Sequence, residues 1–203
     1  MEGTKLQIYG AGGHARVVAT IWIATGGTIG RVVDDNLSVG EFLGRLVEDP
    51  ASLNRSLSVV VAIGSNRFRS DVVKRLDGFC FGRVIDPTSV VSTDVAIGAG
   101  SVIMPRGVIN VGSIIGTHVI VNTAAVIEHD CVVGDFVHLA PGSIICGGVH
   151  IGAGSLIGAG AVILPGIRIG ENCVVGAGSV VIRDLDKNTT SAGVPAKSIK
   201  KTT

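Results

Sequence analysis

Large rings are almost missing from this chain: one Trp, one Tyr and five Phe among 203 residues. Its core therefore has to be assembled from small branched side chains. Charge of one sign is also scarce, with 17 basic against 16 acidic residues and a formal net charge of +1. No broad cationic field is available for nucleic acid or an anionic membrane surface. No apolar run reaches the roughly 18 residues needed to cross a bilayer, so no membrane span is expected. The first residues, MEGTKLQIYG, carry neither a charged-then-apolar leader nor a cleavage site. The four cysteines, Cys80, Cys131, Cys146 and Cys173, show no C-x-x-C spacing. Neither a zinc ribbon nor a redox pair is indicated, and free thiols in a reducing cytoplasm are expected.

Glycine, in contrast, is abundant at 30 residues, and it recurs in order. Every sixth residue from Ile85 to Val181 is Ile, Leu or Val, seventeen positions without a break. Even if half of all residues qualified, such a run would arise by chance about once in 10⁵ trials. Two positions before each aliphatic, from Val95 onward, stands Val, Ser, Gly, Ala or Cys, with Ile167 the exception. Glycine follows the aliphatic at 98, 116, 134, 152 and 170, a superperiod of eighteen. A period of six suits neither a helix nor a hairpin. It predicts a parallel β-helix with three short sides per coil, each side sending one aliphatic inward and each corner filled by a small residue. Residues eighteen apart then stack about 4.8 Å from one another. The phase never breaks, so no long loop leaves the prism.

Residues 1–84 have another texture. KLQIY predicts a strand, GAGGHA (10–15) a glycine turn, ARVVATIWIAT a helix, and TIGRVVDD a strand ending in Asp34 and Asp35. GEFLGRLVED is expected to be helical, SVVVAIG (58–64) a third strand, NRFRSDVVKRL a helix, and FGRVI a short strand. Alternating strands and helices predict a small parallel sheet with helices on its faces. The turn fits G-x-G-x-x-A with acids about twenty residues on, the pattern that lets backbone approach phosphate at a helix start. About 80 residues make half of a full dinucleotide fold, so a mononucleotide diphosphate fits better than NAD. The expected fold is mixed: a Rossmann-like α/β domain over 1–84, at the N-terminal end of an all-β prism over 85–203.

Glu128, His129 and Asp130 interrupt a stretch otherwise nearly free of charge. His129 and Asp130 follow inward Ile127 by two and three places and should project outward. An acyl transfer from a thioester needs a base for the nucleophile's proton and donors for the developing oxyanion. A neutral imidazole suits the first task near neutral pH, and an adjacent carboxylate orients it. Cys131 and Cys173 fall on small inward positions, so direct transfer is expected over a thiol-bound intermediate.

The repeat, together with the ending SAGVPAKSIKK (191–201), resembles the left-handed β-helix acyltransferases. The order of IYGAGGHARVV, VVDDN, AIGSNRFR, IMPRGVIN and VNTAAVIEHDCVVGDFVHLAPGS narrows this over the whole chain. It is similar to the nucleotide-sugar N-acetyltransferases related to PglD and to the NeuD-type sialic acid O-acetyltransferases. The resemblance implies left-handed coils, acetyl-CoA as co-substrate, no metal, and a homotrimer with active sites at the seams. It implies His129 as general base supported by Asp130, His138 near the acetyl end of the cofactor, and the Gly147 amide as oxyanion donor. Ala159 and Ala177 would flank the CoA chain. Gly12, Gly13, His14, Asp34, Asp35 and Gly64 would hold a nucleotide-linked amino sugar of the 4-amino-4,6-dideoxy type. Sugar O-acetylation needs the same base and stays open. A zinc β-helix carbonic anhydrase, using histidines such as His118, His129, His138 and His150, is the remote alternative.

Overall fold

The computed structural model describes residues 4–201. Its first part contains β1 (Lys5–Tyr9), α1 (Gly13–Ala24), β2 (Thr28–Val33), β3 (Glu41–Phe42), β4 (Arg45–Leu46), β5 (Ser58–Val61) and α2 (Asn66–Arg75). The sheet runs β2-β1-β5, all parallel. Both faces are covered, so its strands read as nearly continuous apolar runs. Leu6, Ile8 and Val60 pack with Ala15, Val18, Ala19 and Ile21 of α1. Tyr9, Val59 and Val61 pack with Val72 of α2 and Leu76. Gln7 is fully buried because its side chain bonds the backbone of Asn54 and Leu57.

Two local expectations are corrected. GEFLGRLVED is not a helix but an antiparallel hairpin of β3 and β4. Leu43 and Gly44 sit at φ 49° and 74°, the left-handed pair of a tight hairpin turn, which a helix cannot contain. Phe42, 1% exposed, anchors the hairpin in the core. Of FGRVI, only Phe81 bridges to the α/β sheet, at Val59, whereas Val84–Ile85 pairs with Val102–Ile103 and starts the prism.

The prism has three parallel sheets of two-residue strands stacked at a strict spacing of eighteen. Its first face runs through Val108, Val126, Ile144 and Val162. The second runs through Ile114, Val132, His150 and Arg168, and the third through Ile120, His138, Leu156 and Val174. The inward series is buried from Ile103 to Val181. At the open end of the stack Ile85 remains 37% exposed. From Ser101 to Ala161 the small corner residues are buried as predicted, and several of their hydroxyls bond the backbone. Ser113 Oγ donates to Glu128 O and accepts from Cys131 N, and Ser155 serves Gly170 O and Cys173 N likewise. Cys131 and Cys173 pack into the core cluster with their thiols against backbone carbonyls. The antiparallel pair Thr189–Ala192 and Lys197–Lys201 closes the described residues.

The α/β part does not merely sit on the prism's N-terminal end. It leans along the third face, where Val102 and Met104 join the α1 cluster. Asn66 of α2 reaches as far as the carbonyls of Gly154 and Ser155.

Candidate active site

A cavity of about 670 Å³ opens at the carboxyl ends of the α/β strands, and Gly12, Gly13, His14, Asp34, Asp35 and Gly64 all line it. A Cβ at Gly12 or Gly13 would meet nothing within 4 Å, so these glycines leave free space at the start of α1. Gly10 is needed for another reason: its φ is +110°, and a Cβ would lie 2.9 Å from Ala62 O. Asp34 braces the turn, accepting from Ala11 N at 2.7 Å and Asn36 N at 2.8 Å. Asp35 accepts from Arg75 at 2.7 Å and from the Tyr9 hydroxyl at 2.8 Å. The Arg75 hydrogen bonds hold the Asp35 carboxyl below its usual range, while burial and Asp35 push the Tyr9 hydroxyl well up. His14 presents a buried, unpartnered Nε2. Burial, with His138 and Arg69 adding to it, lowers the His14 imidazole to about 4, so it is neutral at pH 7.

On the prism, His129 and Asp130 occupy the corner between the first and second faces, side chains 60% and 73% exposed. His129 Nδ1 lies 2.8 Å from Asp130 Oδ2. That contact assigns the Nδ1 proton to the carboxylate side and leaves the Nε2 lone pair free. Asp130 reaches its partner from a left-handed backbone, φ 58°, shared down the column by Gly112, Gly148 and Gly166. Asp accepts this conformation more readily than most residues. Gly147 lies one coil on, directly beneath the imidazole: a Cβ there would stand 2.6 Å from His129 Nε2. Among the described residues no acceptor takes the Gly147 N–H. Glu128 turns aside and accepts from Asn110 Nδ2 at 2.9 Å.

His138 is elsewhere. It stands on the third face and contacts the α/β part, Nδ1 lying 3.1 Å from Gly64 O and Nε2 3.0 Å from Asn122 Nδ2. Burial, reinforced by Arg69, lowers it to about 4. Ala159 and Ala177 are exposed at a different corner, between the third and first faces, where Gly178 N bonds Ala159 O. Within one chain the residues thus form three groups: the cavity set with His138, the His129–Asp130–Gly147 corner, and the Ala159–Ala177 corner. His118 is wedged between Phe81 and Phe136, and His150 lies on the second face. Among the described residues no three His, Cys, Asp or Glu side chains gather as a metal-ligating group, and no helix is long and apolar enough to cross a membrane. The reading from residue types missed Arg69, Asn66 and Asn122. The segment NRFR holds the first two, but nothing in it marks Arg69 as buried.

The PglD N-terminal domain family matches residues 5–76, and the bacterial transferase hexapeptide family (six repeats) matches residues 148–183. No curated protein sequence matches the chain. Among solved structures, perosamine N-acetyltransferase from Caulobacter crescentus, in complex with CoA and GDP-perosamine, shares 40% identity at TM-score 0.92, covering 97% of both chains. The acetyltransferase domain of PglB from Neisseria gonorrhoeae shares 37% at TM-score 0.90, covering 97% of this chain and 100% of that one. WeeI from Acinetobacter baumannii shares 29% at TM-score 0.87 with the same coverage. With its hexapeptide prism and its α/β domain of PglD type, the chain belongs to the PglD-like sugar N-acetyltransferases of the left-handed β-helix family.

Proposed function

We propose that this protein transfers the acetyl group of acetyl-CoA to the amine of a nucleotide-linked amino sugar in the cytoplasm. The observation that carries the reading is the stack of His129 on Gly147, a free imidazole nitrogen beside a free backbone donor. The neutral amine attacks the thioester carbonyl, and His129 Nε2 takes a proton from the nitrogen as the C–N bond forms. Asp130 holds the imidazolium through Nδ1–H. The Gly147 N–H donates to the tetrahedral oxyanion. Collapse expels the CoA thiolate, which recovers a proton from His129, leaving amide and free thiol. The α/β part, about residues 1–84, holds the nucleotide in its cavity, with Gly12 and Gly13 making room for the diphosphate. Relatives solved with GDP-perosamine or with acetyl-CoA support both halves of the reading.

The site is completed by a second chain. The first face, between the two corners, is aliphatic at the first residue of every strand: Val90, Val108, Val126, Ile144, Val162 and Val180. Val90 is 62% exposed and Ile144 40%. Three such faces turned toward a threefold axis would bury this stripe and set the His129 corner of one chain against the Ala159–Ala177 corner of its neighbour. The acetyl-CoA arm then lies in that seam.

The test is thiol release from acetyl-CoA with UDP-, GDP- and dTDP-linked 4-amino sugars, with product mass showing N-acetylation. Light scattering should give three chain masses. An active monomer refutes the shared seam, and thiol release with no amino sugar tried refutes the substrate class.

A further inference from the structure

Arg69 is a buried cation without an acid. Its residue is 1% exposed, burial pushes the guanidinium down to about 10, and none of the ion pairs among the described residues includes it. All five of its N–H donors are nevertheless used. Nε donates to His118 O at 2.9 Å. Nη1 donates to Ile63 O at 2.9 Å and Gly64 O at 3.2 Å. Nη2 donates to Asn66 Oδ1 and Phe136 O, both at 2.9 Å. Ile63 and Gly64 line the nucleotide-sugar cavity, and His118 and Phe136 are corners of successive coils. Asn66 extends the grip to a third coil through Gly154 O and Ser155 O.

A hydrophobic side chain would fill this volume without desolvating a charge. What an arginine adds is a rigid fork that holds five acceptors in fixed places. One of those acceptors does double duty. Gly64 O also lies 3.1 Å from His138 Nδ1, which therefore carries the proton. On the other side of the ring, Asn122 Oδ1 is occupied by Thr123 N at 2.8 Å, so Asn122 turns its amide donors to His138 Nε2.

We propose that Arg69 is a positioning residue: it clamps the Ile63–Gly64 cavity wall to three coils of the prism and, through Gly64 O, fixes His138 as the Nδ1–H tautomer. The clamp rests on the acetyl-transfer reading only for what the cavity holds. With Nδ1–H given to Gly64 O and the Nε2 lone pair taken by the Asn122 amide, neither ring nitrogen of His138 has a proton to spare. It does not donate to the oxyanion, which leaves that duty to Gly147. The sugar-bearing cavity is held at a set distance from the prism and does not swing.

The experiment pairs steady-state kinetics with ¹⁵N NMR of the histidine rings, His138 being assigned with a His138→Gln chain. Wild type should show the Nδ1–H tautomer at His138. Arg69→Lys keeps the charge but cannot serve five acceptors. KM for the nucleotide sugar should rise about tenfold, equivalent to one lost charge-assisted contact. KM for acetyl-CoA should stay within about twofold on the same scale, and the His138 Nδ1 resonance should shift as its bond to Gly64 O loosens. Asn66→Ala removes the arm on the third coil and one of the five Arg69 acceptors, and should give the same split at smaller size, which keeps the test open if Arg69→Lys does not fold. Unchanged His138 nitrogens in a folded variant, or both KM values rising together, overturn the clamp. A wild type that acetylates no nucleotide sugar sinks the functional reading instead, and the ring-nitrogen comparison still decides the clamp.

Discussion

The α/β part and the prism divide the chemistry in opposite ways. In the α/β part, residues from four separate segments converge on one open cavity, and some of its charged groups are paired, such as Asp35 with Arg75. On the prism, the candidate residues His129, Asp130 and Gly147 are neighbours in sequence or one coil apart, and the His129 and Asp130 side chains stand open to solvent. On the proposed reading the prism corner is completed by a second chain, because a periodic solenoid with no extruded loop has no wall to close around a ligand. A repeat supplies precise spacing at low cost in sequence, but enclosure has to come from another domain or another copy.

Removing the open half should have the largest effect. His129→Ala should lower turnover about 10²- to 10⁴-fold, the range for a general base, with acetyl-CoA binding by calorimetry nearly unchanged. Retention of more than about a tenth of kcat/KM would remove His129 from the base role. Gly147→Ala is a sharper probe of the stack, since the new methyl must displace the imidazole. A fall of about 10²-fold is expected from misplaced catalytic geometry, with the melting temperature held. A crystal structure of this variant with His129 unmoved would refute the cause.

In the α/β cavity the losses should appear in binding. Asp35→Asn weakens the brace to Arg75 and Tyr9 and should raise KM for the nucleotide sugar about tenfold, leaving that for acetyl-CoA alone. An equal rise in both would show that the two halves are not separable in this way. The smallest effect is on stability. His14, His118 and His138 are each lowered to about 4, burial being the main cause. The unfolded chain takes up these protons first, so their contribution is complete above the unfolded value near 6.5 and is lost as pH falls toward 4. Each is worth on the order of 1–3 kcal/mol by linkage. Between about pH 6.5 and 5, above most carboxylate titration, the melting temperature should drop, and less so for His118→Phe. Equal slopes would mean that His118 is protonated alike in both states.

How much could be read in advance follows the same division. The prism was legible nearly residue by residue, because every inward aliphatic repeats one local environment and the period reports it directly. Ile85 shows where this stops: its position is in phase, but no coil precedes it to cover it. The exposed corner was legible too, since Ile127 fixes which way His129 points. In the α/β part, strands and helices were readable but their contacts were not. Helical composition in GEFLGRLVED lost to the turn geometry of Leu43 and Gly44. Arg69 looks like a solvated helix residue until the prism is brought against it. The bond between His138 and Gly64 joins residues 74 apart in sequence, beyond any local pattern.

The strict stacking of residue on residue at eighteen has a consequence for how such a chain can change length. Three insertion sizes have three different meanings. A slip of one residue turns the aliphatic series outward and wrecks the core. An insertion of six ahead of His129 keeps every aliphatic inside, yet it carries His129, Asp130 and all that follows one third of the way around the axis, onto another edge. Only a whole coil returns each corner to its own edge, and even that moves His129 one step further from the cavity. The geometry therefore admits length change in discrete steps, and activity constrains this prism more tightly than folding does.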